Sequence, residues 1–468
     1  MANLTKDVLN INALLALALV DRPHMTAKYK WHKYLRERPR PLFEQLLDAL
    51  AEAATANPKE IVALSVCIHH ATQKIVLFVS ANHELSSKTK EHFEQLWFLM
   101  HSLALEYGIP RKRPEDALIR HLRSKLLLAI YSFSHKKFKK RFIKWHHALL
   151  VFRDRLFYDL QSTSALKGSK GVLDSMEDIL ETIDSIVAIL DTISQIWSDY
   201  PDGPAGIDPD DDLWTTFVQS IDFLEVLLGD LETVACVFDD LEIQIDSERR
   251  FGPAYALERI TCLHRLGNII CRFTDAPRLS SLEYEYDLKV IMVPRAQTAL
   301  SSSSGWPTTT GDWIRLRNAI YRSHGYSPVD NSPEDFVVPP FPDPHTACEC
   351  SLVQYLDSCY ELNHATHPLE YIGLSRPPTH LSDLWLMTYN HRAHRRQYSM
   401  RVSHGVWPDH WVLPQIAMNQ VGPKFVKEVL AMYCEYKAAE GKVMFSGQSE
   451  GEGNESQENA GGRARTYT

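Results

Sequence analysis

The chain has 468 residues, of which 44% are hydrophobic, 23% charged and 10% aromatic, which excludes a fibrous or wholly disordered protein and provides for a buried core. Fifty Lys plus Arg stand against 59 Asp plus Glu, and the formal charge of -9 excludes a globally basic binder of nucleic acid or anionic membrane, though not a local basic patch. Eight irregularly spaced cysteines exclude a disulfide scaffold and point to a reducing compartment, hence a soluble cytoplasmic or nuclear protein.

The first apolar stretch, Val8 to Val20, is interrupted by Asn10 and Asn12 and falls short of the roughly 20 residues a membrane span needs. It also lacks a basic leader, so it reads as a buried helix with no membrane partner. Helical spacing over Leu42 to Ala54 stops before Pro58. Two β-branched runs follow, Ile61 to Ile68 and Lys74 to Ser80, separated by His69 to Gln73, which predicts an antiparallel hairpin with Asn82 just past its second strand.

Helical patterns then run over Lys88 to Gly108, Pro114 to Tyr131 and Phe138 to Leu160. Between Asp174 and Glu248 about twenty acidic residues meet no Lys or Arg, and Ile179, Ile183, Ile186, Leu190 and Ile193 keep a helical period. The Pro-, Gly- and Asp-rich stretch from Pro201 to Asp212 divides this acidic region in two. A further helix is predicted over Tyr255 to Phe273. Composition makes Ser301 to Gly311 and Ser332 to Pro344 surface connections. Helices are then predicted over Cys350 to Leu362 and Leu381 to Asn390, with a strand at Tyr371 to Ser375 between them. The organisation that results is an N-terminal helical segment (1–54), a hairpin (55–85), a helical insert (86–300), a Ser/Pro-rich connection (301–344), a compact remainder (345–445) and a disordered tail (446–468).

The densest chemistry lies at His345-Thr-Ala-Cys-Glu-Cys-Ser351, followed by Tyr371-Ile-Gly-Leu-Ser-Arg-Pro-Pro-Thr-His-Leu-Ser-Asp-Leu-Trp385 and by Arg401-Val-Ser-His-Gly-Val-Trp407 continuing to Pro414. In these three ordered blocks the chain resembles the fungal deaminase-like proteins of the nucleotide and nucleic-acid deaminase superfamily. The resemblance is strongest over Pro344 to Pro414 and extends to the Ile61 to Asn82 hairpin. It implies an α/β fold, a deaminase-like α/β/α sandwich interrupted by a large, mainly α-helical insert.

Active members of the superfamily hold Zn²⁺ with one His and two Cys, and a Glu that is not a ligand moves protons to the leaving amine. Aligning the motifs puts Ala347 at the His position, Thr379 and Ser382 at the two Cys positions, and Glu349 at the acid/base position. An alanine methyl has no lone pair, and neutral hydroxyls replace thiolates poorly. The expected zinc site is therefore degenerate and no cofactor is expected. Thr379 or Ser382 reads instead as a helix N-cap. Glu349 reads either as a remnant acid/base or as a carboxylate favoured by the positive end of its own helix. Asn82 reads as a sugar-binding residue by resemblance, or as a turn residue on its own chemistry.

The leading functional expectation is a catalytically inactive, deaminase-like binding or interaction module, its partner left open between a protein docking on the helical insert and a nucleotide or nucleic acid. A zinc-dependent deaminase with ligands relocated to His345, Cys348, Cys350 and His380 is the enzymatic alternative, although one residue of displacement turns a side chain by about 100° around a helix. A third reading uses the basic run from Lys136 to Lys144, interleaved with Phe138, Phe142 and Trp145, to grip nucleic acid. Its plainer counterpart buries the aromatic residues and leaves the lysines in water, or docks the acidic helices onto them. No P-loop, dinucleotide Gly-rich fingerprint or Gly-x-Ser-x-Gly elbow is present.

Overall fold

The computed structural model describes residues 11–20, 40–108, 116–164, 170–200, 202–240, 244–246, 249–250, 252–276, 285–294, 307–328, 338–339, 347–362, 368–391, 397–403, 411, 422–439 and 443–445. His345, residues 404–410 and the predicted tail lie outside them. The chain is a mixed α/β protein with one five-stranded sheet in the order β5-β2-β1-β7-β8.

The predicted hairpin forms as β1 (Val62–His69) and β2 (Lys74–Ala81), paired from Val62↔Ala81 to His69↔Lys74, with Gln73 in the left-handed region (φ 48°) closing the turn. On one side β1 runs antiparallel to β7 (Tyr371–Leu374), which pairs in parallel with the short β8 (Ser399–Met400). On the other side β2 pairs in parallel with β5 (Asp287–Met292). Strand β5 is a sheet strand within the mainly α-helical insert that the sequence pattern does not predict. Its six residues mix Asp and Lys with Val and Ile and lie half-exposed along the sheet edge, so they lack the apolar run that marked the hairpin.

Side chains of the central strands alternate between two cores, as a period of two requires. Leu64, Val66, Leu77 and Val79 enter the first core; Ala63, Cys67, Val76 and Phe78 enter the second. The first core continues into α2 (Leu42–Ala53), α3 (Ser87–Tyr107) and the bundle of α4 (Ala117–Phe133), α5 (His135–Ser164), α6 (Lys170–Ser198), α7 (Asp212–Asp240) and α8 (Pro253–Thr274). A small hairpin, β3 (Gln244–Asp246) with β4 (Arg249–Arg250), joins α7 to α8. In the bundle Tyr131 turns its edge to Phe217 at 5.0 Å and to Trp214 at 5.8 Å.

The second core is covered by α1 (Ile11–Val20), α9 (Thr310–Ser323), α10 (Cys348–Leu362), α11 (His380–Asn390) and α12 (Gly422–Ala439). Within the N-terminal helical segment α1 packs on α12, while α2 lies on β7 across the sheet. A correction falls on the next connection. The Ser/Pro-rich connection contains α9 and β6 (Tyr326–Pro328), the latter paired with β9 (Val443–Phe445). Helix α9 starts at a capping box in which the Thr309 hydroxyl accepts the Asp312 N–H and the Asp312 carboxylate accepts from Thr309.

Asp48 joins α2 to β7. It is buried, accepts the Tyr371 hydroxyl at 2.9 Å and the Leu374 N–H at 2.7 Å, and pairs with Arg40. His92 of α3 is also buried, stacked on Phe133 at 4.0 Å and donating Nε2–H to the Ala53 carbonyl at 3.1 Å. Burial lowers its pKa from 6.5 to about 4. A folded-state pKa below the unfolded one means that protons favour unfolding, so the stability is complete above pH 6.5 and lost as the pH falls towards 4. Denaturant titrations should show about 3 kcal/mol more acid destabilisation between those limits in the wild type than in His92→Gln, which keeps a donor and removes the titration. Equal acid limbs would refute this origin.

Candidate functional site

Helices α10 and α11 begin next to one another, one on each side of β7 in the chain, and both starts lie in the second core. At the first, Cys348 and Cys350 are buried and Glu349 is 7% exposed, with the Cys348 thiol donating to Glu349 Oε2 at 3.3 Å. Burial pushes both thiols well above their usual range and the Glu349 carboxylate pushes in the same direction, so both are protonated and unreactive.

At the second start Thr379 is the N-cap. Its hydroxyl accepts the Ser382 N–H at 3.3 Å and lies 3.1 Å from the Ser382 hydroxyl. Ser382 is fully buried; it accepts the Trp411 indole N–H at 3.2 Å and is the hydrogen-bond partner of the Cys350 thiol. The third block adds the Ser403 hydroxyl donating to the Pro378 carbonyl at 3.0 Å. The three sequence blocks therefore meet at the α11 start, through Cys350 to Ser382 and Trp411 to Ser382.

The aligned metal positions do not suit zinc. Ala347 offers no donor atom, and the two hydroxyls are already used by a backbone N–H, an indole and each other. Cys348, Cys350 and His380 form no three-donor group among the described residues. The group that does form lies elsewhere, in the bundle: Asp222 and Glu225 of α7 with His264 of α8, their ligand atoms within 4.8 Å of one another. His264 Nε2 and Asp222 Oδ1 are 2.6 Å apart, a hydrogen-bond distance shorter than the roughly 3.3 Å between neighbouring donors in a shell of 2.0–2.1 Å bonds. Asn268 donates to Glu225 at 3.3 Å, so these residues join two helices. No periodicity singled them out, because the helices supplying them are some forty residues apart in the chain.

Asn82 sits at the sheet end that carries the α11 start, yet its amide is committed to the turn before β1. Its Oδ1 accepts the Ile61 N–H at 2.7 Å and its Nδ2 donates to the Lys59 carbonyl at 3.1 Å.

The basic run opens α5. Phe138 and Phe142 are buried, whereas Lys136, Lys139, Lys140 and Lys144 are exposed and line a groove with His135, Ile143 and Asp202. The acidic α6 docks beside them through His146–Asp191 at 3.1 Å and Arg153–Asp184 at 3.9 Å, without an ion pair to any of the four lysines among the described residues. Lys137 departs from the pattern of wet lysines. It is buried, pairs with Glu52 at 3.2 Å and donates to the Thr55 hydroxyl, and burial lowers its pKa to about 8 against the opposing pull of Glu52.

Comparison with protein-family models, with curated proteins and with solved structures gave no match. Among the described residues no helix is long and apolar enough to cross a membrane.

Proposed function

We propose that this chain is a deaminase-like α/β/α protein that has lost the zinc-hydroxide chemistry and acts as a binding or interaction module. The observation that carries the reading is the meeting of the three motif blocks at two helix starts, with Glu349 on one and Thr379 and Ser382 on the other. The pairing of the 62–81 hairpin with β7, across some three hundred intervening residues, supports the discontinuous domain that the resemblance implies. Without a metal no hydroxide forms at neutral pH, and a buried carboxylate alone has no activated water to direct at an aromatic amine. The remaining chemistry is recognition.

Restoring the donors tests this reading. The Ala347→His, Thr379→Cys, Ser382→Cys variant should gain about one zinc per chain, since a catalytic site needs three protein ligands and an open position. A folded triple variant that gains none would refute the deaminase-like reading.

A further inference from the structure

The lysine groove at the start of α5 is built almost wholly from one helix. Lys136, Lys139, Lys140, Ile143 and Lys144 are exposed α5 positions, and Asp202, just past the end of α6, helps to line the same open space of about 1000 Å³. Lys136, Lys140 and Lys144 recur every fourth residue, so they rise one above another at intervals of about 6 Å. Like charges at this spacing repel one another. Among the described residues no carboxylate pairs with any of them, so α5 carries a repulsion that no ion pair offsets.

The rings beside these lysines are already taken by the protein. Phe138 and Phe142 are buried. Trp145 meets Tyr255 edge-on at 5.3 Å and has Lys144 over its ring at 4.6 Å. His135 is stacked on Trp197 at 5.5 Å, and a β-carbon at Gly203 would meet its ring at 2.8 Å. A single strand is held by bases laid on open rings, which this groove lacks among the described residues. What it offers in their place is Ile143, 59% exposed between Lys139, Lys140 and Lys144. An aliphatic side chain set among cations complements an aliphatic side chain flanked by carboxylates. Asp202 would repel a continuous phosphate chain, yet it can accept the free N–H groups in the first turn of a bound helix.

The same kind of pairing exists within the chain. Beyond the groove His146 lies 3.1 Å from Asp191 and Arg153 lies 3.9 Å from Asp184, both acids on α6. On its neighbouring face, therefore, α5 already packs against an acidic helix.

We propose that the α5 groove docks an acidic helical segment of a partner protein, with carboxylates on Lys136, Lys140 and Lys144 and an aliphatic side chain on Ile143. Such a segment presents acids four residues apart at the same interval of about 6 Å. This partner rests on the reading of the chain as an interaction module, whereas the charge and shape of the groove do not depend on a deaminase-like ancestry.

Fluorescence anisotropy of the full chain at low salt tests the site, with a labelled peptide of about 16 residues, glutamates and alanines around one central leucine, long enough to form a helix. The peptide should bind, and Lys136→Gln, Lys140→Gln and Lys144→Gln together should weaken it about tenfold, the loss of three exposed charge pairs. Ile143→Ser should weaken it about threefold, with no further loss when the leucine of the peptide is also replaced by serine. Without peptide the triple lysine variant should melt no lower than the wild type, because mutually repelling charges have been removed. A lower melting point would assign the lysines to the fold and overturn the proposal. So would absence of peptide binding, equal affinity in the wild type and the lysine variant, or unchanged affinity in Ile143→Ser. Tighter binding of a single-stranded oligonucleotide of equal charge would overturn it as well, making the groove a nucleic-acid site. Zinc uptake by the donor-restored variant is measured without the peptide, so the loss of zinc chemistry and the docking site fail separately.

Discussion

Asp48→Ala is expected to destabilise the protein by about 3–5 kcal/mol, the cost of removing one partner from a buried, charge-assisted network. The carboxylate holds three donors, the Arg40 guanidinium, the Tyr371 hydroxyl and the Leu374 N–H. Its loss strands a phenol and a backbone amide in the contact between α2 and β7. Burial, with Asp48 adding to it, raises the Tyr371 pKa far beyond the usual range, so the phenol does not ionise and stays a donor. Asp48→Asn should cost less, because an amide oxygen still accepts one of these bonds. Urea unfolding of the three proteins checks the order. Equal stability of wild type and Asp48→Ala would show that the network does not join the helix to the sheet.

The second large effect is at Gly373, where β7 lies directly against the α2 backbone. A β-carbon placed there would approach the Leu47 carbonyl carbon to 2.6 Å and its oxygen to 2.7 Å. Backbone inside a helix cannot yield as a side chain does, so Gly373→Ala should cost about 3 kcal/mol by forcing the helix off the sheet. Gly267→Ala provides the comparison. There the first atom met is Leu127 Cδ2, the movable end of a side chain, and the expected cost is about 1 kcal/mol. If Gly373→Ala proved the milder of the two, the packing of α2 on β7 would be looser than described.

Gly373 also shows what a motif conveys. In Tyr371-Ile-Gly-Leu374 the glycine is a packing residue for a helix more than three hundred residues away, which no local pattern reveals. The hairpin was legible because Val62–His69 and Lys74–Ala81 are long and β-branched, and the acidic helices because Ile183, Ile186, Leu190 and Ile193 repeat on one face, all of them buried. Strand β5 was not, since a half-exposed edge carries charges. Helix α9 was hidden behind serines and prolines, although Thr309 and Asp312 spell an N-terminal cap.

Among the site residues, the Thr379 cap follows from a hydroxyl placed before an apolar helical run, and the Trp411 contact to Ser382 from nothing local. Asp48 left one usable signal, an acid on the apolar face of Leu42–Ala53. The cationic cluster around Glu52 left none. Glu52 lies on α2 and its partners Lys137 and Arg141 on α5, and each taken alone resembles an ordinary solvated side chain.

The measurement that bears most directly on the proposed loss of zinc chemistry is the zinc content of the purified chain, taken together with ammonia release from nucleosides, nucleotides and single strands. Zinc well below one ion per chain and no ammonia above the uncatalysed background are expected. One zinc per chain, retained in His264→Ala so that the bundle residues are not its source, and accompanied by ammonia release that Glu349→Gln abolishes, would contradict that loss.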